Sequence, residues 1–116
     1  MAEPSPPDVV FEGNSLKIIR DFPKDVRENF GGDLRRLQKG ERPLDSGSMA
    51  PVLPGVFELR DQDRGAWYRA FYVKLGGVVY VLHCFTKKTN QTAKGDVEIG
   101  RKRLSDLKTR LARQKK

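Results

Sequence analysis

Residues 66–87 read AWYRAFYVKLGGVVYVLHCFTK, and this stretch decides the fold. β-Branched and aromatic residues fill both halves, and Gly76-Gly77 between them is a two-residue hairpin signal, because glycine accepts the positive φ angles of tight β-turns. Two antiparallel strands are predicted, Ala66 to Leu75 and Val78 to Lys87. The second, VVYVLHCF, is almost wholly apolar, which marks a strand central in its sheet. Val56 to Asp61 supplies a third strand, joined through a turn at Gln62 to Gly65.

Outward from this hairpin the chain alternates loops and helices. Glu41 to Gly55 holds Pro43, Gly47, Pro51 and Pro54 and reads as a long connecting loop. Before it, Lys24 to Gln38 carries Val26, Phe30, Leu34 and Leu37 on one helical face. Gly31-Gly32 costs this helix about 1 kcal/mol per glycine relative to alanine, so a bend or tight packing is expected there. Gly40 stands where a left-handed helix terminator is expected. Ser15 can cap a shorter helix, Leu16 to Phe22, preceded by a strand at Val9 to Glu12. Downstream, Thr86 to Gly95 is a polar loop, and Asp96 caps a final helix with the stripe Val97, Gly100, Leu104, Leu107 and Leu111. Residues 1–8, with three prolines, are expected to form a loose leader to a single domain over 9–116. The order β-α-α-β-β-β-α predicts an α+β fold with helices packed on a small antiparallel sheet.

The 116 residues carry 23 Lys plus Arg against 15 Asp plus Glu, a formal charge of +8. That charge has an address. Residues 60–94 are net +5 and residues 101–116 net +7, while the first half is slightly acidic. The balance favours a polyanionic partner. One cysteine, Cys84, excludes an intrachain disulfide framework and fits a reducing cytoplasm. No stretch has the roughly 18 apolar residues of a membrane span, and the first residues lack the basic start and apolar centre of a signal peptide.

Familiar catalytic sets are poorly supported. His83 and Cys84 are strand neighbours facing opposite ways, so they neither chelate one metal together nor form a nucleophile pair. The glycine pairs lack the surroundings of a phosphate loop, and the carboxylates are scattered. No metal or small-molecule cofactor is expected. What remains is cationic: Arg60, Arg64, Arg69 and the Lys87-Lys88 pair, brought together by antiparallel pairing, with His83 as a possible lining residue. Arginine offers a planar fork for phosphate, and crowded cations depress one another's pKa, which makes a lysine base usable. Such a group can bind RNA and cleave it without metal: a base takes the ribose 2′-OH proton and arginine stabilises the phosphorane. Of Trp67, Tyr68, Tyr72 and Phe85, one or two are expected to stack on bases.

The strings RENFGGDLRRLQKGERP, VFELR, WYRAFYV and VYVLHCFTKKTNQT, in this order and followed by a terminal helix, resemble the HigB-like (phage-derived Gp49-like) branch of the RelE/ParE type II toxin superfamily. The resemblance runs from about Val9 to Leu107 and implies the RelE/ParE-like fold. It also implies a cytoplasmic toxin that cuts messenger RNA on the ribosome without metal and is neutralised by a helix-turn-helix antitoxin. Carried over by position, Arg60, Arg69 and the Lys87-Lys88 pair would be the phosphate and catalytic residues: Arg69 would stabilise the transition state, and one lysine would transfer the proton while the other binds. Arg64 is a candidate for RNA or ribosome contact, and His83, as a residue lining the site, for RNA binding. Replacing Arg69 or Lys88 by alanine would relieve toxicity in a folded protein. Ala93 and Gly100 depart from the usual Pro and Ala. Two other readings compete: a ParE-like, non-catalytic inhibitor of DNA gyrase, and a non-toxic basic nucleic-acid-binding module.

Overall fold

The computed structural model describes residues 8–87 and 93–114; the predicted leader, apart from Asp8, and Lys88 with most of its polar loop lie outside them. The elements are β1 (Val9–Phe11), α1 (Ser15–Arg20), α2 (Lys24–Gln38), β2 (Ser46–Ser48), β3 (Phe57–Asp63), β4 (Ala66–Leu75), β5 (Val78–Lys87) and α3 (Lys94–Gln114). The predicted α+β class holds, and α2, β4 and β5 have the predicted bounds. The sheet has the order β1-β5-β4-β3-β2. It is mixed, not antiparallel throughout, because β1 pairs parallel with β5, Val9 opposite Val79.

Both turns of the meander use left-handed backbone. Gly76 and Gly77 have φ of 58° and 81°, and Arg64 and Gly65 have 49° and 81°. These are two-residue hairpin turns whose twist matches that of the strands. The expected loop before β3 contains β2, whose Gly47 stands opposite Glu58. Ser-Gly-Ser has little strand preference, so pairing alone makes it a strand. Asn14, not Ser15, precedes the first turn of α1, and Ser15 is buried. At the Gly31-Gly32 pair, a Cβ would meet only Arg35 and Arg36 of the same helix, so no tight interhelical packing explains the glycines.

Two cores lie on opposite faces of the sheet. Ile19, Phe22, Val26, Phe30, Leu34 and Leu37 of the α1–α2 segment pack on Leu59, Ala70, Tyr72, Val79, Val81 and Cys84. Leu104 and Leu107 of α3 pack, with Leu53 and Val56, on Phe71, Val73, Tyr80, Leu82 and Phe85. Central burial on both faces explains why β5 is almost wholly apolar up to Phe85.

One irregularity positions everything that follows. Phe71 pairs with His83 but Tyr72 pairs with Val81, leaving Leu82 as an extra residue on β5. Such a bulge reverses the alternation of side chains beyond it. Tyr80 and Leu82 face α3 before it, whereas Phe85 does so after it.

Candidate functional site

Because of the bulge, the last part of β5 turns His83, Phe85 and Lys87 toward the α3 side. Their register partners on β4 are Phe71, Arg69 and Trp67, and those of Phe71, Arg69 and Trp67 on β3 are Glu58, Arg60 and Gln62. The structure therefore brings Arg60, Arg69, His83 and Lys87 onto one end of one face. Two carboxylates organise them.

Glu58 holds the arginines. Arg69 Nη1 and Arg60 Nε each donate to Glu58 Oε1 at 3.0 Å. Arg69 is only 2% exposed and lies with its guanidinium carbon 5.2 Å from the Trp67 ring centre. Arg60 is different: its side chain is 35% exposed, lies 3.8 Å from Asp45, and passes over Gly47, where a Cβ would overlap its guanidinium. Arg60 is thus the arginine of this pair with a face toward solvent.

Asp96 holds the other two. His83 Nε2 and Asp96 Oδ1 are 2.8 Å apart, and Lys87 Nζ stands 4.0 Å from Asp96 Oδ2. The Asp96 carboxylate thus serves the site instead of capping α3, which begins two residues earlier at Lys94. Phe85 stacks on His83 with centroids 5.0 Å apart, and Lys87 Nζ lies 5.5 Å from the Phe85 ring centre.

Burial sets the protonation chemistry. His83 is held below its ordinary pKa, mainly by desolvation, with the bond to Asp96 opposing and the Arg103 charge adding to the fall. The neutral ring that donates Nε2–H to Asp96 leaves Nδ1 as a lone pair, and Nδ1 is buried with no hydrogen-bond partner among the described residues. Lys87 is also lowered, again mainly by burial; Asp96 and Glu58 oppose this and Arg69 adds to it. Charge crowding, the expected cause, is the smaller one. A lysine so placed yields its proton more readily than one in water.

Other predicted residues fall elsewhere. Arg64 is exposed at the β3–β4 turn and lines a cleft with Lys24, Asp25 and Tyr68 at the start of α2, away from the Glu58 and Asp96 clusters. Tyr68 packs edge-on against Phe22, Tyr72 and Phe85 are buried, and Trp67 is the half-buried aromatic of the site's face. Much of α3's positive charge is met within the fold: Arg101 pairs with Glu98, Lys102 with Asp106 and Arg110 with Glu12. Among the described residues no three of His, Cys, Asp and Glu stand close enough to share a metal ion, and no helix is long and apolar enough to cross a membrane.

The sequence reading missed Glu58 and gave Asp96 another role. Glu58 had a signal, since residues two apart on a strand share a face, so ELR sets Glu58 beside Arg60. Asp96 had none, because its reach to His83 depends on how α3 crosses the sheet.

No curated protein and no solved structure matches the chain. The model of the family described as Phage derived protein Gp49-like (DUF891) matches residues 17–105, a span that contains every member of the Glu58 and Asp96 clusters. The chain belongs to this Gp49-like, phage-derived protein family.

Proposed function

We propose that this protein is the toxin of a type II toxin–antitoxin pair and acts as a ribosome-dependent, metal-independent messenger-RNA endonuclease, restrained by a helix-turn-helix antitoxin. The observation that carries the proposal is the alignment of Arg60, Arg69, His83 and Lys87 on one face beyond the β5 bulge. Membership of the Gp49-like family, which is associated with RelE- and HigB-like toxins, points the same way.

In this reading Lys87, its pKa lowered by burial, takes the ribose 2′-OH proton. The 2′-oxygen attacks the adjacent phosphorus to form a 2′,3′-cyclic phosphate, the bond to the 5′-oxygen breaks, and that oxygen leaves as a hydroxyl with a proton taken from water. Arg60 meets the phosphate oxygens, being the more exposed arginine. Arg69, buried against Glu58, acts from behind by fixing that carboxylate and contributing positive potential, in place of the direct contact expected from sequence. His83 and Asp96 hold Lys87's surroundings and the strand end. Arg64 is a candidate for RNA contact at its own cleft, and Lys88 keeps the role in proton transfer or binding expected from the sequence.

Induced expression with mapping of transcript ends tests the proposal. Growth arrest with new 5′ ends on translated messages, lost in Lys87→Met and Arg60→Ala at matched expression, is the expected result. Arrest with intact transcripts and altered DNA supercoiling would replace it with gyrase inhibition. Normal growth would leave a basic nucleic-acid-binding module.

A further inference from the structure

The sequence places Arg103 in a basic run at the end of the chain, yet its guanidinium points into the fold. Nη1 donates to the carbonyl of Leu82 at 2.9 Å, and Nη2 donates to Asn14 Oδ1 at 3.0 Å. Leu82 is the extra residue of the β5 bulge and is fully buried. A bulged residue is left out of the ladder, and a buried carbonyl without a partner is costly. Arg103 supplies that partner. The residue before it is also held: Glu12 N–H donates to the Val81 carbonyl at 2.8 Å, extending the β1–β5 pairing up to the bulge.

The surroundings are shaped for this contact. Gly13 has φ of 56°, and a Cβ there would stand 2.5 Å from the Arg103 guanidinium carbon. On α3, Asp96 and Arg103 are seven residues apart and share a helix face, so one side of the helix grips both residues of the bulge region, Asp96 at His83 and Arg103 at Leu82. Gly100 lies between them, against Phe71.

We propose that Arg103 is a positioning residue for the site: clamped between the Leu82 carbonyl and the Asn14 side chain, it holds the β5 bulge that turns His83, Phe85 and Lys87 toward α3. The proposal rests on the reading of that face as the reaction site, but its structural half can be measured without activity. His83 is the chain's only histidine, so its imidazole gives one set of ring resonances. The groups facing it are Asp96 and Arg103 from α3 and Phe71 and Phe85 from the sheet.

Four variants separate a clamp from a charge: Arg103→Gln, Arg103→Lys, Asn14→Ala and the control Lys102→Gln. Asn14 makes no side-chain cap bond to α1, so Asn14→Ala removes one arm of the clamp while leaving every charge in place. The clamp predicts that Arg103→Gln and Asn14→Ala both move the His83 resonances and speed amide exchange at residues 82–84. Lys102→Gln leaves these signals in place. Arg103→Lys keeps the charge but does not restore the wild-type spectrum, because one ammonium cannot span both acceptors. RNA cleavage falls on the order of a hundredfold in Arg103→Gln, as expected for a misplaced reacting group. Wild-type His83 resonances and exchange in Asn14→Ala would overturn the clamp, as would full rescue by lysine. Asn14→Ala also decides the matter if Arg103→Gln does not fold. Should the spectra move as described while the wild-type protein cleaves no RNA, the clamp stands and the nuclease reading falls.

Discussion

Replacing Glu58 with glutamine asks whether one carboxylate holds the cationic cluster together. Glu58 is 4% exposed and accepts hydrogen bonds from Arg69 and Arg60 through one oxygen. Glutamine keeps the shape and an acceptor but removes the charge. With charge centres about 4 Å apart and an effective dielectric constant near 20, the lost attraction to Arg69 is about 4 kcal/mol. The Arg60 pair is partly solvated and adds under about 1 kcal/mol. Breaking one side of a buried pair typically costs about 3–5 kcal/mol, a large share of the roughly 5–15 kcal/mol that holds a domain folded. Urea and thermal unfolding should therefore show a Tm lowered by about 10–20 °C. Adding Arg69→Met should restore part of the loss, because no uncompensated charge then stays buried. A Glu58→Gln protein within about 1 kcal/mol of wild type, with no coupling in the cycle, would refute this account. The same burial alters the expected outcome of Arg69→Ala: Arg69 is the largest fully buried side chain among the described residues, so its loss destabilises the fold as well as any activity.

Stability should also fall between pH 7.5 and 5.5. Burial keeps the pKa of folded His83 below the ordinary 6.5, so the unfolded chain takes up its proton first as pH drops; His83→Gln should flatten that slope in urea midpoints. Asp33 acts in the opposite sense at lower pH, since burial raises its pKa and acidification relieves its desolvation. Gly100→Ala should destabilise by about 1 kcal/mol: alanine gains up to about 1 kcal/mol of helix propensity, but its Cβ would stand 2.9 Å from the buried Phe71 ring, and overpacking costs about 1–3 kcal/mol. A stabilised variant would contradict this packing. Cys84, buried with its thiol pushed up to about 12, should react with a thiol reagent at pH 8 only at the rate of unfolding; fast native-state labelling would count against its burial.

The elements that local chemistry dictates were legible. The four-four-three spacing in α2 and the Gly76-Gly77 turn gave element bounds, because helix periodicity and turn conformation are properties of neighbouring residues. The parallel partner of β1 was not, since Val9 and Val79 meet only after the chain has closed. Nor was β2, whose Ser-Gly-Ser is a strand only by pairing with β3.

The sequence by itself determined that Arg60, Arg69, His83 and Lys87 lie on adjoining strands. Only the tertiary structure decided that they share a face. An amphipathic strand displays its register through alternation, but VVYVLHCF is buried on both sides and shows none, so the extra residue at Leu82 leaves no trace in the pattern. What reveals it is the pairing of the folded sheet, in which Phe71 stands opposite His83 but Tyr72 stands opposite Val81.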